Sequence, residues 1–159
     1  SPVAIQDTSI ANWKTYRNTK VGFSFDYPSD WKIENDCNKE DADGTLDYEC
    51  IMSHDLITNK EGAMQKGGRV VISVRKSNPN FKLSCNVGSK SSSTITCKDD
   101  LFKGFLSTSG SDTISNTKFR YLNFNTNSYA FSITAQYNID SISTLTIFDQ
   151  ILSTFQFTD

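Results

Sequence analysis

VGFSFDYPSDWKI, residues 21–33, alternates almost without fault and then breaks at a proline. Val21, Phe23, Phe25 and Tyr27 share one parity, and Gly22, Ser24 and Asp26 share the other. Successive side chains of a β-strand point to opposite faces, so one face of this strand is aromatic and the other small or polar. Pro28 has no amide proton for a ladder, so the strand ends in the turn Tyr27-Pro28-Ser29-Asp30, and Trp31 and Ile33 belong to a second strand over 31–34. Four aromatics within nine residues form either a binding surface or a core. The shared parity points to core, because a sheet face this apolar needs cover.

The cover comes from the other end of the chain. In DSISTLTIFDQILSTFQF, 140–157, the period changes: Leu145, Phe148, Leu152 and Phe155 recur at three and four residues, as on one face of a helix. Asp140 or Ser141 can cap its start. Its Thr and Ile content makes it a poor autonomous helix, so packing onto the sheet must stabilise it. Phe155 and Phe157 then alternate, which predicts a short extended end.

Between these ends further strands are predicted. Leu46, Tyr48, Cys50 and Met52 alternate with Asp47, Glu49, Ile51 and Ser53; GRVVISVRK, 68–76, is the most β-branched stretch; KFRYLNF, 118–124, and SYAFSITAQY, 128–137, form a hairpin across Asn125-Thr126-Asn127. DDLFKGFL, 99–106, places Leu101, Phe102, Phe105 and Leu106 on one helical face, with Asp99 as N-cap. Residues 35–45 read as an acidic loop, 55–68 as a connector, 84–98 as a Ser/Thr-rich loop or small hairpin, and 107–117 as a polar loop. Residues 1–12 lack periodicity and read as a linker or arm, leaving 13–159 as a single domain. The expected class is α+β, an antiparallel sheet carrying about two helices.

Of the 159 residues, 36% are hydrophobic, and the net charge is −2 with lysines and arginines scattered singly. No basic stripe marks a nucleic-acid partner. No apolar run approaches the roughly 18 residues of a membrane helix. The chain begins SPVAIQDTS, with neither a basic nor an apolar leader region, so either a targeting segment was removed or the chain was trimmed. Any membrane attachment is then expected through a removed N-terminal anchor.

Cys37, Cys50, Cys85 and Cys97 include no C-x-x-C pair, which argues against zinc or a redox motif. Two disulfides fit better than four reduced thiols. Three connectivities are open, and the sequential one, Cys37–Cys50 with Cys85–Cys97, is favoured because each pair brackets a local turn-rich loop. Disulfides imply an oxidising compartment. No Asn is followed at the second position by Ser or Thr, which leans toward a bacterial source.

Few residues invite a chemical reading. His54 is the only histidine and precedes Asp55. A Ser-His-Asp site is conceivable, but no G-x-S-x-G elbow accompanies it, and a surface histidine at a strand end is the expectation. GAMQKGGR, 62–69, lacks the Lys-Ser/Thr pair of a phosphate loop and leads into a strand, whereas a phosphate loop leads into a helix. Asp41, Asp43 and Asp47 in EDADGTLDYE, 40–49, offer hard oxygen ligands to calcium, but an EF-hand register would put Lys39 first and Cys50 twelfth. A solvated acidic loop is preferred over a calcium site, and nothing calls for a cofactor.

Two stretches carry a family likeness. YRNTKVGFSFDYPSDWKI, 16–33, resembles the opening Tyr–Gly–Phe–Phe–Tyr-Pro–Trp pattern of PsbP-like proteins, and FDQILSTFQF, 148–157, resembles their closing helix-to-strand signature. The likeness spans roughly 13–157. It implies the Mog/PsbP-like fold, an antiparallel sheet sandwiched by helices in an α/β/α arrangement. It also implies a non-catalytic binding or accessory role, as in the family's lumenal proteins and bacterial lipoproteins. The cysteines and the 84–98 insert depart from the family pattern and suggest a secreted bacterial relative. No functional residue of the family matches a position here. The expected function is therefore a non-catalytic extracytoplasmic module whose partner is another protein or a cell-envelope component. Recognition is expected on the loops 35–45, 55–67 and 107–117. The alternatives are a hydrolase with an unrecognised site near His54, or a calcium-binding adhesin-like module.

Overall fold

Phe23, Phe25, Tyr27 and Trp31 are all buried, at 0%, 1%, 7% and 4% exposure, so the aromatic parity is core. The computed structural model describes residues 10–37, 48–61, 64–77, 83, 85 and 96–158. After a short 3-10 turn at Ile10–Asn12 come β1 (Lys14–Asn18) and β2 (Phe23–Tyr27). These two pair antiparallel, and β2 also pairs with the terminal β10 (Gln156–Phe157) to complete a three-stranded sheet. Gly22 makes the β1–β2 turn at φ +89°, and its carbonyl accepts a hydrogen bond from Thr158 N–H, so chain start and chain end close on each other.

A second sheet has seven strands, all antiparallel: β3 (Lys32–Asn35), β4 (Tyr48–Thr58), β5 (Met64–Lys76), β6 (Thr96–Phe102), β7 (Phe105–Ile114), β8 (Thr117–Asn125) and β9 (Tyr129–Asn138). Their order is β3-β4-β5-β9-β8-β7-β6. The helix α1 (Ser143–Thr154) follows β9. On the inner face of the sheet Val70, Ile72 and Val74 of β5 lie in register with Ala135, Ile133 and Phe131 of β9, and α1 covers them with Ile147, Phe148 and Ile151. Phe155, just past the helix, stacks on Phe23 at 5.4 Å and meets Phe131 edge-on at 6.0 Å, joining the two sheets.

Several expectations are corrected. DDLFKGFL is not a helix but the tip of a hairpin: Lys103 and Gly104 have φ of 49° and 87°, and Phe102 pairs with Phe105 and Leu101 with Leu106. A two-residue X-Gly turn needs positive φ at both centres, which glycine tolerates best. The polar loop 107–117 is mostly β7, paired along its length with β8, and the connector 55–68 is largely the ends of β4 and β5. Among the described residues α1 is the one α-helix and packs on one face of the large sheet, so helices on both faces are not seen. The buried stripe of α1 is Thr144, Ile147, Phe148 and Ile151, with Leu145 and Leu152 at its margins. Ile142 occupies the N-cap without a side-chain cap; the Ser141 hydroxyl instead accepts a hydrogen bond from Gly67 N–H.

Disulfides join Cys37 to Cys50 and Cys85 to Cys97, with Cα–Cα distances of 5.0 and 5.7 Å. The first is buried in the core; the second fixes Cys85 to the exposed Cys97 on β6.

Candidate functional site

The lone histidine is not a surface residue. His54, on β4 opposite Gly68 of β5, has a side chain only 9% exposed. Its ring stacks on Trp31 at 4.8 Å, and Nε2 lies 2.8 Å from Thr144 Oγ1 in the first turn of α1. Burial pushes its pKa below the usual imidazole value, while Asp55 and then Asp30 pull it back up. A neutral ring, with one donor and one acceptor nitrogen, suits this setting.

Strand parity explains the inward aim: Cys50, Met52 and His54 are alternate residues of β4 in unbroken register with β5, and the first two are buried. The β4–β5 register slips between His54 and Ile57, with Asp55 at φ +46° opposite Gly67 at φ +77°. A Cβ on Gly67 would overlap the carbonyl oxygens of His54 and Asp55. A Cβ on Gly68 would lie 2.6 Å from Thr144 Oγ1 and 2.8 Å from its Cγ2. The glycine pair of GAMQKGGR therefore lets the helix start press onto the sheet. Two adjacent glycines before a β-branched run were the sequence signal for that close approach.

As chemistry the cluster is closed. Thr144 is 0% exposed, so its hydroxyl cannot meet a substrate while α1 is packed. The His54 Nδ1 to Asp55 Oδ2 distance of 3.9 Å is beyond hydrogen-bond length. His54, Asp55 and Thr144 thus have the residue types of a catalytic triad without its access or geometry.

Two of the three expected recognition segments do converge. Thr58 pairs with Met64, Ile114 with Thr117, and Thr117 with Asn138, so the 55–67 region, the β7–β8 turn and the start of the β9–α1 connection share one end of the sheet. Asn138 Nδ2 donates to Met64 O at 3.2 Å, and Ile139 N–H to Asn116 O at 3.1 Å, which holds this end together. Ile57, Ile114, Ile139 and Ile142 are more than half exposed there. A hollow of about 390 Å³ lined by Met64, Arg69, Ile114 and Phe119 opens beside them. Asn35, where the acidic segment leaves β3, pairs with Ile51 toward the opposite end of β4. Asp41, Asp43 and Asp47 lie outside the described residues. Among the described residues no group of three or more His, Cys, Asp or Glu is placed to hold a metal ion.

No protein-family model and no curated protein matches the chain. Its fold, however, is similar to solved structures. A crystal structure from Bacteroides thetaiotaomicron VPI-5482 matches with a TM-score of 0.55 at 14% identity, over 93% of this chain and 49% of that one. The chain thus spans about half the length of that relative. The solution structure of cyanobacterial PsbP (CyanoP) from Synechocystis sp. PCC 6803 matches with a TM-score of 0.57 at 12% identity, over 98% of both chains. At these identities the likeness is one of fold: the chain has a PsbP-like fold.

Proposed function

We propose that this chain, with its PsbP-like fold, is a non-catalytic extracytoplasmic domain of a secreted or membrane-anchored bacterial protein, and that it binds another protein or a cell-envelope component. One observation carries the non-catalytic part. His54 is the only side chain whose ordinary pKa suits proton transfer near neutral pH, and it is spent on Trp31 and a fully buried Thr144. Two disulfides support a compartment that is oxidising, since such bonds persist outside the reducing cytosol. No helix of the described residues is long and apolar enough to cross a membrane. What the fold offers a partner is rigid surface: the sheet end with its isoleucines, and the sheet face that α1 does not cover.

The test is a screen of ester, peptide, glycoside and phosphoester substrates with the wild-type chain and His54→Ala side by side. No turnover above the His54→Ala background is expected. Turnover that His54→Ala abolishes would overturn the reading in favour of a hydrolase.

A further inference from the structure

The large sheet ends on β6, and among the described residues no strand pairs with its outer edge. Its register with β7 is unbroken from Thr96 opposite Ser111 to Phe102 opposite Phe105, and residues 97–101 are all exposed. Neither a proline nor a bulge blunts this edge. The hairpin turn decides which backbone groups face outward. Phe102 and Phe105 flank the two-residue turn and exchange hydrogen bonds, so Lys98 and Asp100 likewise point their backbone groups at β7. Cys97, Asp99 and Leu101 point theirs outward. In keeping with this, Leu101 N–H is taken by the carboxylate of Asp100, at 2.8 Å, rather than by a strand. The side chains divide the other way. Lys98 and Asp100 share the inner face, where they form an ion pair at 3.0 Å. Cys97 and Asp99 share the outer face, where Cys97 is bonded to Cys85 and Asp99 Oδ1 accepts Cys85 N–H at 3.2 Å. Leu83, two residues earlier, borders a hollow with Asn123 and Ser132 of that same outer face.

From this edge we propose that two copies of the chain pair through β6, antiparallel about a two-fold axis centred on Asp99, so that two seven-stranded sheets become one. The inference goes beyond the partner reading above and does not depend on it. A two-fold contact must be self-complementary, with each residue meeting its counterpart reciprocally. The β6 sequence meets that condition in one register. Centring on Asp99 overlaps all seven residues, pairs the outward backbone groups of Cys97 with those of Leu101 of the second copy, and places Lys98 opposite Asp100 of the second copy twice over. These are non-hydrogen-bonded pairs, the type with the closer side chains. Joined to the ion pair within each strand, they make a square of alternating charge. A slip of one residue would set outward backbone groups against side-chain positions of the wrong parity. A slip of two would set Lys98 against Lys98 or Asp100 against Asp100. The one unfavourable contact is Asp99 facing Asp99 on the outer face, and each of these carboxylates already holds Cys85 N–H. A single strand pair buries less than the roughly 1,200 Å² at which standard interfaces begin, so the dimer is weak and reversible.

Sedimentation velocity of the disulfide-bonded chain tests this, over a concentration series reaching about 1 mM because so small an interface is weak. The wild type should pass from monomer toward dimer as concentration rises. Asp100→Lys and Lys98→Asp each set like charges opposite one another and should weaken association at least tenfold. The double reversal, Lys98→Asp with Asp100→Lys, rebuilds the charge square and should restore it. Asp99→Asn removes the central repulsion and should tighten it. All four variants change exposed side chains and should melt with the wild type. A wild type that stays monomeric through the series overturns the inference and leaves the edge to an extended segment of another protein. A dimer indifferent to both single reversals also overturns it, by placing the contact elsewhere, as on the isoleucine end of the sheet. So does a folded double reversal that fails to restore association.

Discussion

Replacing Phe155 by Ala should be among the most damaging single changes in the chain. The ring is 1% exposed and stands where three elements meet. It stacks on Phe23 and Phe25 of the small sheet at 5.4 and 6.2 Å, and meets Phe131 and Phe124 of the large sheet edge-on at 6.0 and 6.1 Å. Truncating a buried Phe costs about 3–5 kcal/mol, the spread reflecting how far the hole can collapse. Here collapse is poor. The hole is walled by two sheets, and Phe155 is pinned on one side by its N–H to Leu152 O at 3.2 Å and on the other by the pairing of β10 with β2. Lost ring–ring geometry works in the same direction, at about 0.5–1.5 kcal/mol for a favourable pair, though such terms do not add. A loss of about 4–5 kcal/mol is expected, a large part of the roughly 5–15 kcal/mol that holds a domain together. At about 2–4 °C per kcal/mol for this size, the melting point should fall by roughly 8–20 °C. Guanidinium unfolding with the disulfides intact would show a lower midpoint at unchanged slope, and Phe155→Leu, which refills part of the hole, should recover part of the loss. A loss below about 1.5 kcal/mol for Phe155→Ala would mean that the two sheets do not share one core, and the packing account would be wrong.

Two further outcomes follow from the His54 cluster. Because burial lowers the folded-state pKa of His54, the unfolded chain takes up the proton first as pH falls. Stability from the neutral ring is therefore complete above the ordinary imidazole pKa of about 6.5 and is lost progressively as pH falls through it toward the depressed value. Denaturation midpoints measured from about pH 7.5 to about pH 5 should fall more steeply for the wild type than for His54→Gln; parallel profiles would refute the assignment. Gly68→Ala should cost about 1–3 kcal/mol by overpacking against Thr144. Gly104→Ala, with φ +87° and nothing within 4 Å, should cost only the left-handed backbone term of about 1 kcal/mol. The reverse order of melting points would show that α1 does not press on the sheet at Gly68.

What a single sequence discloses here depends on whether the signal is local. The parity of Phe23, Phe25 and Tyr27, the β-branched run of β5 and the β8–β9 hairpin are local period-2 patterns, and all are strands in the structure. The hairpin tip at 99–106 misleads for a geometric reason. Apolar residues at i, i+1, i+4 and i+5 lie on one helical face, but they are also two cross-strand pairs around a two-residue turn. In the strand case they divide between faces: Phe102 and Phe105 meet the rings of Phe124 and Phe157, while Leu101 and Leu106 are 65% and 75% exposed. The arbiter was Lys103-Gly104, a turn signal at the centre of the supposed helix. β7 gave no local signal, since STSGSDT has no apolar parity; its pairing with β8 makes it a strand, the context dependence expected of β-structure.

The site residues are a harder case, because each is ordinary until another part of the chain arrives. His54 and Thr144 are separated by 90 positions. Reading His54 as a surface residue at a strand end was wrong in both respects: it lies within β4, which runs on to Thr58, and it shares the parity of the buried Cys50 and Met52, which turns it inward under α1. The outer face of the large sheet is more distant still from any motif. Arg75, Ala130 and Asn125 each fall on the solvent parity of their own strand, where single polar or small residues carry no information. Register alone sets them side by side. A shift of one residue between β5 and β9 would send Arg75 to the core face, a placement that the buried run Val70, Ile72 and Val74 forbids. The apolar parity that builds the core therefore also fixes the polar row on the opposite face.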